Sequence, residues 1–288
     1  MPCFLVSTEH LTDSLWFRDN EDFTVCMNYI AITAFRTGVT VLAFVLMSNH
    51  VHFVLRGDAA QVRKFIFILK KMFSRYCRIK YGKPESLRHN GIDIRELNLE
   101  DEAIERAIAY VLMNPVSANI CLHATQYRWG SGSVYFSDIE VSGTPLGLVS
   151  KRMKKAILHS HIILPNEYIL TTDGYIHPSC YIPVKEVERI FRTPNRLHYF
   201  LATSSKARKD ELLIPSFKDQ LLAEAADELS MSLFHKRYVK ELSPAQTAEL
   251  LRQMRRRFSA DPAQLARVTG LDYSKAVALI DSFPETCF

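Results

Sequence analysis

The 288-residue sequence predicts an α+β fold, with an antiparallel sheet covered by helices on one face and a mainly helical region at the C-terminal end. Three observations predict it. Two β-branched and aromatic runs flank a short turn near residue 48, helix-period apolar stripes alternate with strand-length runs over residues 1–140, and helical periodicity resumes from Pro215 onward. Composition sets the bounds. With 48% apolar, 11% aromatic and 23% charged residues, the chain can bury a core, which excludes global disorder, and its length fits about two domains. The longest apolar run, Val39 to Met47, is strand-sized, well short of the roughly 18 to 20 residues that span a bilayer. A soluble, cytoplasmic chain with no membrane partner is expected. Six scattered cysteines with no C-x-x-C pair fit thiols in a reducing compartment better than a disulfide framework.

The elements follow in order. Phe4 to Ser7 reads as a short strand, and Glu21 to Phe35 has helical apolar spacing that ends at Gly38. Val39 to Leu46 and His50 to Leu55 then form a hairpin around Met47-Ser48-Asn49, closed by Gly57. From Ala59 to Lys80, the residues Val62, Phe65, Ile66, Leu69, Phe73 and Tyr76 stack on one helical face, and Gly82 and Pro84 stop that helix. Ile92 to Arg95 alternates like a fourth strand. Asn98 to Asn114 reads as a helix with acidic first turns, ended by Pro115. Three regions result: 1–140, an irregular connecting region over 141–209 whose role the sequence does not give, and a helical region over 210–288. In the last, Asp261 to Asp272 resembles a helix-turn-helix, with Asp261 as cap, Pro262 in the first turn and Gly270 at the bend. Any αα-hairpin shares that spacing.

Charge is concentrated rather than spread. The whole chain carries +5, yet Gly57 to Asn90 alone holds nine basic residues, Arg63, Lys64, Lys70, Lys71, Arg75, Arg78, Lys80, Lys83 and Arg88, against Asp58 and Glu85. A second basic run spans Lys236 to Arg257. Focused positive charge of this kind suits phosphate contacts, although a solvated helix face has the same composition.

The residues able to do chemistry lie close to these features. His50 and His52 alternate on a strand, so both imidazoles project to one side, where neutral histidines can converge on a divalent metal. Tyr110 and Asn114 are one helical turn apart on a shared face with Arg106. Tyr81, at the exit of the basic helix, is placed to stack on a base, whereas Tyr76 continues the apolar face. His159-Ser160-His161 repeats the histidine spacing but has no tyrosine motif nearby, so it reads as structural. No G-x-x-x-x-G-K-[ST] loop is present, which argues against ATP-driven action.

The string Leu46-Met47-Ser48-Asn49-His50-Val51-His52-Phe53, then Tyr110-Val111-Leu112-Met113-Asn114-Pro115-Val116, then Tyr127-Arg128-Trp129-Gly130-Ser131, resembles the REP-associated tyrosine transposases, members of the HUH single-tyrosine transposases. The resemblance covers roughly residues 1–136. It departs from the family's pattern at Ser48, where proline is usual, and lacks a Trp-containing segment before the acidic helix. It implies a ferredoxin-like fold and cleavage of single-stranded or hairpin DNA through a 5′-phosphotyrosine. Carried over, His50, His52 and Asn114 would be metal ligands and Tyr110 the nucleophile. The metal would be Mg²⁺ or Mn²⁺, with the imidazoles favouring Mn²⁺.

The resulting expectation is a metal-dependent DNA transposase and endonuclease acting in recombination. Arg63, Lys64, Lys70, Lys71, Arg75, Arg78 and Lys80 would contact DNA. For Arg106 the expected part is to hold a phosphate or tune the tyrosine. The C-terminal helices would add duplex recognition, and a homodimer is an admissible assembly. The alternative is a domesticated, non-catalytic DNA-binding regulator of the same fold; a replication initiator or relaxase is weaker because no helicase segment is attached.

Overall fold

A computed structural model describes residues 1–9, 11, 15–82, 91–98, 102–206, 217–258 and 260–281. Lys83, Pro84, Glu85 and Arg88 of the expected basic run lie outside the described residues, as do Pro215 and Cys287. The first elements are β1 (Cys3–Thr8), α1 (Asn20–Thr37), β2 (Thr40–Met47), β3 (His50–Arg56), α2 (Ala59–Tyr81) and β4 (Ile92–Glu96). The strands pair antiparallel in the order β2-β3-β1-β4. This β-α-β-β-α-β order with that sheet is the ferredoxin-like arrangement.

Local chemistry fixes the helix ends, and the terminating glycines fall where the sequence predicts. Asp19 caps α1 by accepting from the Asp22 N–H at 3.0 Å, and Gly38 ends it at φ +69°. Asp58 and Gln61 form a reciprocal capping box on α2, which ends at Gly82. Strand alternation then gives the sheet two different faces. Phe4, Val6, Phe44, Val51 and Phe53 point toward α1 and α2, with Phe53 meeting Phe65 edge-on at 5.4 Å. His50, His52 and Val54 point the other way.

That second face is also covered. The helix α3 (Ala103–Leu112) packs on β2 and β3 from the histidine side, so the two expected cover helices share one face and the third takes the other. Pro115 does not end this segment. Met113 breaks α3, and Asn114–Ser117 forms a one-turn helix, α4, with the proline in its first turn, where a missing N–H costs nothing. The β2 edge is sealed by residues 127–135. Leu46 N–H donates to the Trp129 carbonyl at 2.8 Å, Tyr127 Oη to the Leu46 carbonyl at 2.7 Å, and Trp129 stacks on Phe23 at 4.9 Å. Gly130 permits this approach, since a Cβ there would sit 3.1 Å from the Phe44 carbonyl oxygen.

The expected connecting region over 141–209 is more than a connection. It contains a short β5–β6 ribbon (Thr144–Pro145, Ile169–Leu170), α5 (Lys151–Leu158), α6 (Val184–Phe191) and α7 (Pro194–Ala202). Leu146, Leu158, Ile176, Val187, Phe191 and Phe200 are buried in the same core as the sheet. Its periodicity is short because each element is short. The buried Asn28 of α1 ties it down, donating to the carbonyls of Ile157 (3.3 Å) and Gly174 (3.0 Å) and accepting from the Ile176 N–H (2.9 Å). The remaining helices, α8 (Asp219–Phe234), α9 (Pro244–Phe258), α10 (Pro262–Thr269) and α11 (Tyr273–Asp281), share a separate core built on Leu222, Leu250, Leu251, Leu265 and Ala266. As expected, Asp261 caps α10 and Gly270 takes the bend before α11 at φ +69°. Among the described residues, no helix is long and apolar enough to cross a membrane.

Candidate active site on the histidine face

β3 places His50 and His52 side by side because residues two apart on a strand share a face. Their rings are 4.8 Å apart and perpendicular, and both residues are buried. α3 brings Tyr110 onto the same spot, its ring edge-on to His52 at 5.6 Å. The phenol is half-buried, so it keeps an approach from solvent. Three of the four expected site residues therefore meet. Asn114, the first residue of α4, is buried and turns back on α3, where its amide donates to the carbonyls of Tyr110 (2.9 Å) and Val111 (3.4 Å).

The turn before His50 sets its tautomer. Asn49 Nδ2 donates to the Leu11 carbonyl at 2.8 Å, which leaves Asn49 Oδ1 facing His50 Nδ1 at 2.8 Å. An oxygen can only accept, so Nδ1 carries the proton and Nε2 the lone pair, the arrangement of a metal-ligating imidazole held by an outer partner. The hairpin turn itself is Ser48-Asn49, with Met47 still paired to His50 in the ladder. Both turn residues are buried because Trp16 and Phe17 donate to the Ser48 carbonyl and Ser48 Oγ donates to Asp219 of α8. Arg267 of α10 holds the same carboxylate at 3.1 Å. Ser48 is thus a contact between the sheet and the C-terminal helices.

Among the described residues, no group of three or more His, Cys, Asp or Glu is placed to hold a metal. The donors brought together are two imidazoles and a phenol, and the Asn114 amide, its Nδ2 committed to α3 carbonyls, offers only its Oδ1. This set fits a divalent ion that accepts mixed nitrogen and oxygen ligands and completes its shell from a phosphate, which favours Mn²⁺ over Mg²⁺.

Positive charge is arranged differently from the sequence expectation. α2 lies across the sheet from Tyr110, so its cations do not line the histidine site. Arg63, Lys64, Lys71, Arg75 and Arg78 are exposed, but Lys70 is buried and Lys80 only partly exposed. Lys70 falls on the inward side of the helix, 6% exposed, and burial holds its ammonium below the ordinary lysine value despite Glu9. Lys80 sits among Asp19 (2.6 Å), Glu21 (2.9 Å) and Asp22 (3.0 Å). Burial would lower its pKa, but its hydrogen bonds to Asp19, Glu21, Tyr76 and Asp22 prevail and hold it well above the ordinary value. Tyr81 joins this network instead of offering a free ring. Its hydroxyl donates to Asp22 at 2.7 Å, and the Arg18 guanidinium covers its face at 4.3 Å.

Arg106 is exposed and pairs with Glu102 at 3.5 Å, one turn away from the phenol. The cation beside Tyr110 is Lys206, 5.3 Å from the ring centre, which the chain reaches after α7 packs on α3. No local sequence signal points to Lys206, because its position depends on that long-range packing. Comparison with protein-family models, with curated proteins and with solved structures finds no match for this chain.

Proposed function

We propose that the protein is a metal-dependent DNA nuclease and strand transferase that uses Tyr110 as nucleophile, the chemistry implied by its resemblance to the single-tyrosine HUH transposases. The observation that carries this reading is the convergence of a tyrosine from one helix on two same-face imidazoles from a neighbouring strand, His52 and Tyr110 being 5.6 Å apart.

In this reading, Tyr110 Oη attacks the phosphorus of a phosphodiester. The P–Oη bond forms as the P–O3′ bond breaks, the phenolic proton passes to water, and the departing 3′ oxygen takes a proton to become a 3′-hydroxyl. The DNA is left joined to the protein through a 5′-phosphotyrosine. Attack by a 3′-hydroxyl on that linkage reverses the step and rejoins strands. A bound divalent ion would supply Lewis-acid polarisation of a non-bridging phosphate oxygen; His50 and His52 would hold it, with Asn114 as a third protein ligand. Asn49 orients His50, His52 keeps the phenol beside the imidazole pair, and Lys206 adds positive charge where an anionic strand arrives. The half-buried phenol and buried imidazoles restrict water without closing the approach.

The test incubates the protein and Mn²⁺ or Mg²⁺ with a 3′-labelled hairpin oligonucleotide and looks for a covalent adduct on a denaturing gel. An adduct that vanishes in Tyr110→Phe supports the reading, and one that persists in that variant removes the proposed nucleophile. The second reading, a DNA-binding regulator without catalysis, is favoured by one observation: the exposed α2 cations lie on the opposite face from Tyr110. Salt-sensitive binding with no adduct under either metal would select it.

A further inference from the structure

A cleft of about 970 Å³ lies between α1, α2 and α5, away from Tyr110. Arg36 and Arg75 line it from α1 and α2, and Arg152 and Lys155 from α5, with His159 and His161 at the helix end. All six are exposed. Several arginines of this chain are paired, as in Arg128 with Asp173 (2.7 Å) and Arg196 with Glu102 (2.7 Å). Here, among the described residues, Arg36, Arg75, Arg152 and Lys155 take part in no ion pair. Glu21, the acidic residue of the lining, is held by Lys80 at 2.9 Å. The cleft is therefore positive without internal compensation, and low-dielectric walls on two sides focus that potential.

Part of its lining has a different character. Met72, Ile79 and the ring of Tyr76 supply apolar surface, and the His159 ring stands edge-on to Tyr76 at 5.4 Å. A lining that mixes cations with apolar and aromatic side chains matches a ligand that alternates phosphates with flat rings. The volume lies near the top of the roughly 300–1,000 Å³ range of ligand clefts, more than a lone phosphate fills. Concavity also disfavours a lipid surface, since a headgroup plane cannot bring its charge to both walls at once.

We propose that this cleft seats the phosphate backbone of a single-stranded DNA segment, separate from the segment presented to Tyr110 across the sheet. The proposal deepens the strand-transfer reading and takes from it only the identity of the polymer. Arg36, Arg75, Arg152 and Lys155 hold phosphates, and the His159 and His161 rings meet bases. Asn28 is the positioning residue, because its bond to the Ile157 carbonyl docks α5 and so builds the second wall.

The test measures fluorescence anisotropy of a labelled single-stranded oligonucleotide of about 16 nucleotides, in a Tyr110→Phe background so that cleavage does not interfere. The double variants R152E/K155E and R152Q/K155Q are compared with K185Q/R189Q, which removes the same charge as the glutamine pair from exposed positions of α6 outside the cleft. Circular dichroism checks that each is folded. Both cleft variants should lose roughly tenfold or more in affinity, and the glutamine pair should flatten the log K against log salt slope by about 1.4. Wild-type affinity and slope in the folded R152Q/K155Q variant would overturn the proposal, as would an equal loss in K185Q/R189Q. So would a cleft variant that loses binding to phosphatidylglycerol vesicles while keeping its hold on DNA. Failure of the adduct assay leaves this readout intact, so the cleft and the chemistry fall separately.

Discussion

His50 and His52 occupy alternate positions of β3, so their rings share one face, 4.8 Å apart, and the sheet buries both. His159 and His161 have the same spacing but lie just past the end of α5, where His159 takes a left-handed conformation at φ +46° and both remain exposed. Identical spacing gives a convergent pair in one place and two solvent-facing rings in the other. The backbone decides which, because a strand repeats its facing every two residues and a helix end does not. The basic residues of α2 teach the same lesson. Alike in sequence, they separate into exposed cations and two lysines, Lys70 and Lys80, that the fold consumes.

The comparison breaks most completely at the chemistry. His52→Ala removes a ring that both contributes to the imidazole pair and contacts Tyr110, so covalent adduct should fall below detection on the denaturing gel while salt-sensitive DNA binding persists. Adduct at the wild-type level would return the strand pair to the same standing as His159 and His161.

The next largest effect concerns a cation that only looks available. Lys80→Met should cost roughly 3–5 kcal/mol of stability in a urea titration, because it leaves the fully buried Asp22 carboxylate without its ammonium. Arg78→Met, three residues before the α2 end and exposed, should change stability by about 0.5 kcal/mol or less. Equal losses in the two would contradict the division of α2.

A finer test concerns orientation. Asn49→Ala deletes the acceptor that fixes the His50 tautomer and should weaken Mn²⁺ binding, measured by calorimetry, by roughly 10- to 100-fold. The smallest effect is the pH dependence of the Lys80 network. Burial alone would raise the Asp19 carboxyl, but its hydrogen bonds to Lys80, to the Asp22 N–H and to Tyr81 prevail and hold it below its ordinary 3.8. The unfolded chain therefore binds that proton first as pH falls, so the Asp19 contribution is complete above about pH 4 and declines below it. Urea titrations between about pH 5 and pH 2 should show this acid loss in the wild type and a weaker one in Lys80→Met.

Much of the sheet was legible before any coordinates. Period-two alternation in His50 to Leu55, the caps Asp261 and Gly270, and the terminators Gly38 and Gly82 are local signals, and local physics honours them. Pro115 misled for a local reason as well: a proline that cannot continue one helix can begin another. What the sequence concealed depends on distant contacts. Asn28 reads as an ordinary polar residue in a helix, and only folding brings it the Ile157 and Gly174 carbonyls. Ser48 reads as a surface turn residue until Trp16, Phe17 and Asp219 close over it. Lys206 reaches Tyr110 from nearly a hundred positions away along the chain. The histidine pair and the tyrosine were visible one by one; their meeting required α3 to lie on the face opposite α1 and α2.

That meeting is tested most directly by peptide mapping. Protein incubated with Mn²⁺ and a hairpin oligonucleotide, then digested and analysed by mass spectrometry, should carry a nucleotide mass on the peptide containing Tyr110, and the modification should be absent when the metal is chelated. A nucleotide on another residue, or none with either Mn²⁺ or Mg²⁺, would contradict a phosphotyrosine site built from Tyr110, His50 and His52.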